Sequence, residues 1–443
     1  MSEDKISRRK YLKYAGAAVA IGAVAAAGYG ISQYYPPTPT TPTTTSPGPV
    51  TVTPTSGKKK VKIGGTKPFT GNESVAGYSE GNANKLWAKH VNEAGGIKAG
   101  DGNTYEVELI LYNDECKPEN VPRLYEKLIT EEQVDFLLGP VWGPLGMATV
   151  PIVEKYKIFE AYGTASFDPR DFRDWKYIVH TITNGTEYMA AIIDMILERV
   201  VPKDPEVLKI SVTHGDDQFR MTAGSYGKQY AEDKGFDIVF YDTYTWPGTT
   251  DLTPLLTKAK AARPTCHFNA GGYPDSITTI KQMKELNFDV NLVWSGQGTV
   301  FPQYYEALGK YAEGNVCCTQ WEEGMVYPHN YGPSHDEFIS TFEQDYGLTP
   351  DYHAGTGYQQ AMVIQKAMEL CDDPLNSDAI RKVAGEMEFL SFFGKYKADP
   401  VTGWQTGHKM GVIQWQNGQK VVVWPMEADA KELLYPMAKW SER

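Results

Sequence analysis

The residues best placed to do chemistry are a run of glycines and hydroxyls between Val134 and Pro169. Gly139, Gly143 and Gly163 lack a Cβ and leave backbone N–H groups open to approach, Pro144 suits a first helical position, and Thr164 and Ser166 add hydroxyls. Amides and hydroxyls gathered in this way form a cradle for a small anion or carboxylate.

The chemistry of bond cleavage has thinner support. His214-Gly215-Asp216-Asp217 is the one histidine and carboxylate group worth testing as an acid–base pair. It lacks a second histidine at ligand spacing, and no G-x-S-x-G elbow or Gly-rich phosphate loop accompanies it. No catalytic residue is assigned. The five cysteines, at 116, 266, 317, 318 and 371, are odd in number and have no C-x-x-C spacing, so a metal is not expected, and no cofactor is assigned. Adjacent Cys317 and Cys318 point to opposite faces of a predicted strand and read as small core residues.

The elements around the glycines decide whether they meet. Val134 to Leu138 and Ile158 to Tyr162 are apolar runs of strand length, and between them Leu145, Val150, Ile152 and Val153 mark a helical stripe. Strand, helix, strand makes a parallel pair, so the loops Gly139 to Pro144 and Gly163 to Pro169 emerge side by side. Ligands of open α/β sheets sit on that edge, outside the strand carboxyl ends.

The alternation runs on. Before this stretch, strands are expected at Val61 to Gly65 and Tyr105 to Tyr112, and helices at Gly77 to Ala94, stopped by Gly95-Gly96, and Pro122 to Thr130. After it, helices start near Glu187, Ala223, Thr253 and Pro274, and strands near Leu208, Ile238, Cys266 and Leu292, which makes a second doubly wound sheet. Its loops His214 to Arg220, Gly271 to Asp275 and Ser295 to Pro302 should form the facing wall of a cleft. The tail reads as helices at Asp336 to Tyr346, Gly357 to Leu370 and Asp378 to Met387, then a hairpin of Gly411 to Trp415 and Lys420 to Trp424 turned at Asn417-Gly418.

Over 443 residues this pattern implies two lobes. A net charge of -12 argues against nucleic acid or an anionic membrane surface as partner, since either would repel the chain. The first segment, 1–35, reads as a twin-arginine-like signal or a membrane anchor: Ser7-Arg8-Arg9-Lys10-Tyr11-Leu12-Lys13 precedes the mildly apolar run Ala15 to Ile31. That run is slightly shorter than the ~20 residues of a spanning helix. Either reading makes the protein exported, with a membrane association through this segment whether it is cleaved or kept as a tether. No cysteine follows the run before Cys116, which excludes a lipoprotein anchor. Residues 36–60 read as a Thr/Pro-rich linker, because Pro36 to Gly57 holds only Thr, Pro, Ser, Gly and Val and cannot bury enough surface to offset its ordering entropy.

From Val61 to about Trp424 the chain resembles solute-binding proteins of the branched-chain amino acid type, which serve ABC importers. The resemblance rests on an ordered series: Ile63-Gly64 with Thr70-Gly71, Asn92-Glu93-Ala94-Gly95-Gly96-Ile97, Tyr112-Asn113-Asp114-Glu115-Cys116, Leu138-Gly139-Pro140, Thr164-Ala165-Ser166, Gly271-Gly272-Tyr273 and Phe393-Gly394. It implies an α/β type I periplasmic binding fold, two doubly wound parallel-sheet lobes joined by a three-segment hinge. Lobe one would take 61–181 with 318–395, and lobe two 182–317 with 396–443. A ligand bridging the lobes would stabilise a closed form for a permease to recognise.

The resemblance also implies a site. The family holds its ligand carboxylate with backbone amides and a hydroxyl in loops matching Trp142-Gly143 and Ala165-Ser166. Its tyrosine after a Gly-Gly turn falls on Tyr273, and its other lobe-two aromatic falls on Phe219, which lacks the hydroxyl. Where the family often has a glutamate facing the ligand ammonium this chain has Gln297, and a second acid falls on Gly185, with Glu187 close by. A charge-assisted hydrogen bond is worth ~1.5–3 kcal/mol against ~0.5–1.5 for a neutral one, so the ligand is expected to be an amide, a carboxylate without an amine, or an amino acid whose ammonium finds another acid. Cys116 matches a cysteine that some members pair with one at the position of Trp142, a disulfide this chain cannot form. His353 and Trp321 fall near pocket-lining positions. Three functions fit: a binding protein for an ABC importer, an extracytoplasmic sensor with the same clamshell, and, furthest from the residues, a secreted α/β enzyme.

Overall fold

The computed structural model describes residues 48–443 except 55–57, 72, 165–174, 247 and 426–429. The expected signal or anchor, 1–35, and the linker as far as residue 47 lie outside the described residues. No helix among the described residues is long and apolar enough to cross a membrane.

The first sheet is built from β1 (Val50–Val52) and β2 (Lys59–Lys67), then, after helix α1 (Ser74–Glu93), β3 (Ile97–Lys98) and β4 (Thr104–Asn113). Helix α2 (Val121–Thr130), β5 (Phe136–Leu138), α3 (Gly143–Tyr156), β6 (Glu160–Tyr162) and β7 (Ile178–His180) complete it. Its order is β1-β4-β2-β5-β6-β7, with β4, β2, β5, β6 and β7 all parallel. The parallel pairing expected of β5 and β6 is present, but each strand starts two residues later than its apolar run. For β5 the reason is local: the Asp135 carboxylate accepts from Lys62 N at 2.7 Å, so a side chain takes the rung a backbone carbonyl would occupy. Helix α1 ends where Gly95 and Gly96 adopt φ of 95° and 101°, a left-handed region glycine enters without a Cβ clash.

Val50–Val52, expected to be stalk, instead pairs antiparallel with the edge strand β4. Its Val-Thr-Val sequence is β-branched throughout, and β4 offers it an unpaired edge, so local β propensity prevails over the Thr/Pro composition around it.

The second sheet alternates α4 (Glu187–Arg199), β8 (Lys209–Gly215), α5 (Gln218–Asp233), β9 (Asp237–Tyr244), α6 (Thr253–Ala261), β10 (Cys266–Ala270), α7 (Tyr273–Glu285), β11 (Leu292–Trp294) and α8 (Pro302–Leu308). It is parallel, in the order β11-β10-β8-β9. In both sheets the chain reverses direction beside a central strand, β2 in one and β8 in the other. That leaves a crevice at the strand carboxyl ends.

The remainder comprises β12 (Val316–Thr319), α9 (His335–Tyr346), α10 (Tyr352–Leu370), α11 (Ser377–Glu386), the short hairpin β13 (Glu388–Ser391) and β14 (Gly394–Lys397), and the hairpin β15 (Gly411–Gln416) and β16 (Gln419–Trp424). The last turn has Asn417 and Gly418 at φ of 53° and 78°, the left-handed pair expected of Asn-Gly. Sheet β12-β15-β16 is antiparallel, so the tail hairpin does not extend either parallel sheet. Cys317 and Cys318 lie in β12 with both side chains fully buried.

Three crossing segments join the lobes and are tied side by side. Thr183 N donates to Gln320 Oε1 at 3.1 Å, Gln320 Nε2 donates to Thr183 O at 2.8 Å, and the Thr183 hydroxyl meets His408 Nδ1 at 2.6 Å. Helix α10 begins at Tyr352 rather than at Gly357, because the Asp351 carboxylate caps it, accepting from Ala354 N at 3.0 Å and from Ser79 Oγ at 2.5 Å. Asp351→Ala should therefore cost about 1–2 kcal/mol, read as a lower denaturant midpoint.

Candidate functional site

The loops after β2 and β5 and the end of β6 face the loops after β8, β10 and β11 across a cavity of about 90 Å³. One water takes ~10–15 Å³ of such space, so it suits a molecule of several heavy atoms. Glu73 and Glu80 enter it from the start of α1, Val141 and Trp142 from the loop after β5, and Gly163 from the end of β6. Phe219, Arg220, Gly272, Tyr273, Gln297 and Phe301 form the opposite wall, and Tyr352 and His353 close one side.

Much of the wall is aromatic. Tyr273 meets Phe301 edge-on, with centroids 5.7 Å apart, and Phe301 in turn stacks on His353 of α10 at 5.4 Å with 6° between the rings. Tyr188 packs edge-on against Phe219 at 5.1 Å. Burial pushes the His353 imidazole down to about 4, so it stacks as a neutral ring.

Two charged clusters flank this apolar lining. In the first, Lys67 at the end of β2 is fully buried and donates to Glu80 Oε2 at 2.6 Å, to Gly139 O at 2.6 Å and to Gln360 Oε1 at 3.3 Å. Burial raises Glu80 to about 7 against the opposing pull of Lys67. In the second, Arg220 Nε donates to Asp275 Oδ2 at 2.6 Å, Nη1 is bridged to Asp217, and the guanidinium lies 4.1 Å from the Trp246 ring centroid. Asp275 also accepts from Tyr244 and Gly272 N, each at 3.0 Å. Glu73, half-buried, borders the cavity and interacts with the second cluster; burial raises it to about 7, opposed by Arg220 and reinforced by Asp217 and Asp275.

Of the residues singled out from sequence, Trp142, Phe219, Tyr273 and Gln297 come together at the cavity, as does His353. Gly143 is buried beside Trp142 as the first residue of α3. Ala165 and Ser166 lie outside the described residues. Phe219 and Arg220 stand on the first turn of α5 rather than in a loop, because Asp217 caps that helix by accepting from Arg220 N at 3.0 Å. Gln297 uses its amide on the hinge strand: Nε2 donates to Cys318 O at 2.9 Å, and Oε1 accepts from the thiols of Cys317 and Cys318 at 3.6 and 3.5 Å.

Parts of the expected anion cradle are engaged elsewhere. Gly139 N donates to Ala161 O at 2.9 Å within the sheet, and the Thr164 hydroxyl donates to Pro140 O at 2.5 Å, bracing the loop rather than facing a ligand. Trp321 is also displaced from its expected place. It is fully buried against Phe338 and Phe392, with Nε1 donating to Phe392 O at 3.1 Å. His214 has both ring nitrogens in structural hydrogen bonds, to Gly215 O and Tyr241 OH, each at 2.7 Å, so it forms no dyad with Asp216 or Asp217.

Glu73, Glu80 and Arg220 were not singled out from sequence. A charged residue in the first turns of a helix has the signature of a solvated surface, and only the apposition of the two sheets turns these three inward.

Two parallel sheets that open their carboxyl edges onto one shared cavity, joined by three crossings, define a clamshell of the type I periplasmic binding class. A sequence model of the periplasmic binding protein family matches residues 60–420, and the chain belongs to that family. It is similar to a leucine-, isoleucine-, valine-, threonine- and alanine-binding protein of Pseudomonas aeruginosa, 23% identical over 235 residues, which are 53% of this chain and 59% of that one. The alignment thus spans less than two thirds of that relative's length. Among solved structures it is similar to a solute-binding protein of an ABC transporter from Rhodopseudomonas palustris BisB5, in complex with 3,4-dihydroxybenzoic acid (20% identity, 82% of this chain, 95% of that one, TM-score 0.68). It is also similar to the branched-chain amino acid transporter substrate-binding protein LivJ of Streptococcus pneumoniae, in complex with isoleucine (17% identity, 85% and 100% covered, TM-score 0.68).

Proposed function

We propose that the protein is the extracytoplasmic solute-binding component of an ABC importer, which captures a small amino acid, amide or carboxylate ligand between two closing lobes and delivers it to a permease. The observation that carries this reading is the cavity itself, walled by aromatic rings from both lobes, with Phe301 stacked on His353 across the seam. A solute that bridges the two walls would favour the closed form, and that form is what a permease would sense. In this reading lobe one is 61–181 with 318–395 and lobe two 182–317 with 396–443. The protein binds its solute and does not transform it. The relatives' isoleucine and 3,4-dihydroxybenzoic acid support a ligand of that size.

Mass spectrometry of the solute that copurifies with the protein tests this directly, followed by a thermal-shift panel of that compound class. A binder gains stability and returns its ligand unchanged, whereas a consumed ligand would establish an enzyme. Tyr273→Ala and Ser166→Ala are each expected to weaken binding about tenfold in a calorimetric titration, without shifting the ligand-free melting temperature. Unchanged affinity in both variants would put the pocket elsewhere.

A further inference from the structure

Among the described residues, each cation at or beside the cavity has a carboxylate partner, and one cavity carboxylate has no cation of its own. Lys67 is bridged to Glu80, and Arg220 is bridged to both Asp217 and Asp275. Two cations thus face three carboxylates before Glu73 is counted. Glu73 borders the same cavity and makes no ion pair among the described residues; Arg220 is its nearest electrostatic counterweight, from the other lobe. A half-buried carboxylate that borders the cavity beside an over-neutralised guanidinium is complementary to a positive charge, because a ligand cation would restore the balance that these residues leave short.

We propose that Glu73 is the acceptor for a protonated amine on the bound solute, and that it takes over the role of the acid absent at Gln297. This rests on the solute-binding reading above and narrows its ligand class to amine-bearing solutes. The geometry supports the transfer of roles: Gln297 is turned toward the hinge strand with its amide engaged, while Glu73, on the opposite lobe, remains available at the wall. The amine would then be read by lobe one and covered by the Tyr273 and Phe219 wall of lobe two, so that charge recognition and closure fall to different halves.

The assignment fixes the sign of a pH dependence. Glu73, raised to about 7, must lose its proton to accept an ammonium, so affinity for an amine should be about tenfold weaker at pH 6 than at pH 8. Among the described residues, the other charged groups at or behind the cavity wall are Arg220, Asp217 and Asp275 from lobe two, and Glu80 with Lys67, Asp351 and His353 from lobe one. His353, near 4, is neutral across this window, and Glu80, also near 7, is separated from Glu73 by mutation.

The test is calorimetric titration of the whole protein with two matched sets of probes at both pH values: L-leucine, isopentylamine and 4-methylpentanoate, and L-phenylalanine, phenethylamine and 3-phenylpropanoate. Within a set, amine-bearing probes are expected to bind at least tenfold more tightly than the carboxylate lacking an amine. Glu73→Gln should lower amine affinity roughly tenfold to a hundredfold and flatten its pH dependence, and Glu73→Asp, which keeps the charge, should retain most of it. An unchanged ligand-free melting temperature in both variants verifies folding. If the amine-free carboxylates bind as tightly as the amines, or Glu73→Gln keeps amine affinity within twofold, the assignment is overturned while the solute-binding reading stands. Silence from all six probes would overturn the assignment, and silence together with no copurifying solute would overturn both.

Discussion

Lys67→Met is expected to lower the unfolding free energy by about 3–5 kcal/mol, the cost of removing one partner from a buried ion pair. The side chain is fully buried, and its loss would strand the Glu80 carboxylate, 1% exposed, and remove a donor from Gly139 O. Methionine fills the aliphatic volume, so the loss reports charge rather than a cavity. Its pH dependence has a definite sign. Burial already raises Glu80 to about 7 in the folded protein, above its ordinary 4.5, and without Lys67 nothing opposes that rise. The folded variant therefore binds a proton that the unfolded chain releases, and its stability falls as pH climbs from about 5 to 8. Urea denaturation should show a larger deficit at pH 8 than at pH 5, and adding Glu80→Gln should recover part of it. A deficit below about 1 kcal/mol at pH 8 would mean the pair is not buried as described.

Trp321→Ala should cost a similar amount, about 3–5 kcal/mol, for a different reason. The indole is fully buried between Phe338 and Phe392, its Nε1 satisfied by Phe392 O, so truncation leaves a large void and an unmet carbonyl. Because Trp321 does not border the cavity, any solute that copurifies should bind the surviving folded variant with nearly the wild-type affinity. Loss of affinity without loss of stability would return Trp321 to the pocket wall that the family resemblance implied.

These two sites mark the limit of what could be read from residues alone. The strand, helix and strand of β5, α3 and β6 were legible because apolar runs of strand length and a helical stripe report local burial, and helix α6 and strand β11 fall at the expected residues. Trp142, Phe219, Tyr273 and Gln297 were legible through motif spacing, and they meet at one cavity. Gln297 illustrates the limit: its position was foreseen, but the direction of its amide depends on β12 passing behind it. Val50–Val52 was misread as stalk because its partner, the edge of β4, lies more than fifty residues away.

By itself the sequence determined the alternation of strands and helices, the glycine stops, the Asn-Gly hairpin and the edge of each sheet from which ligand loops emerge, since all of these follow from side chains a few residues apart. Tertiary structure alone decided which charges face the cleft. Whether Lys67 and Arg220 are partnered, and whether Glu73 has an ion pair among the described residues, depends on groups brought together from separate elements. A charge's energy is set by what surrounds it in space, and neighbours along the chain do not reveal that.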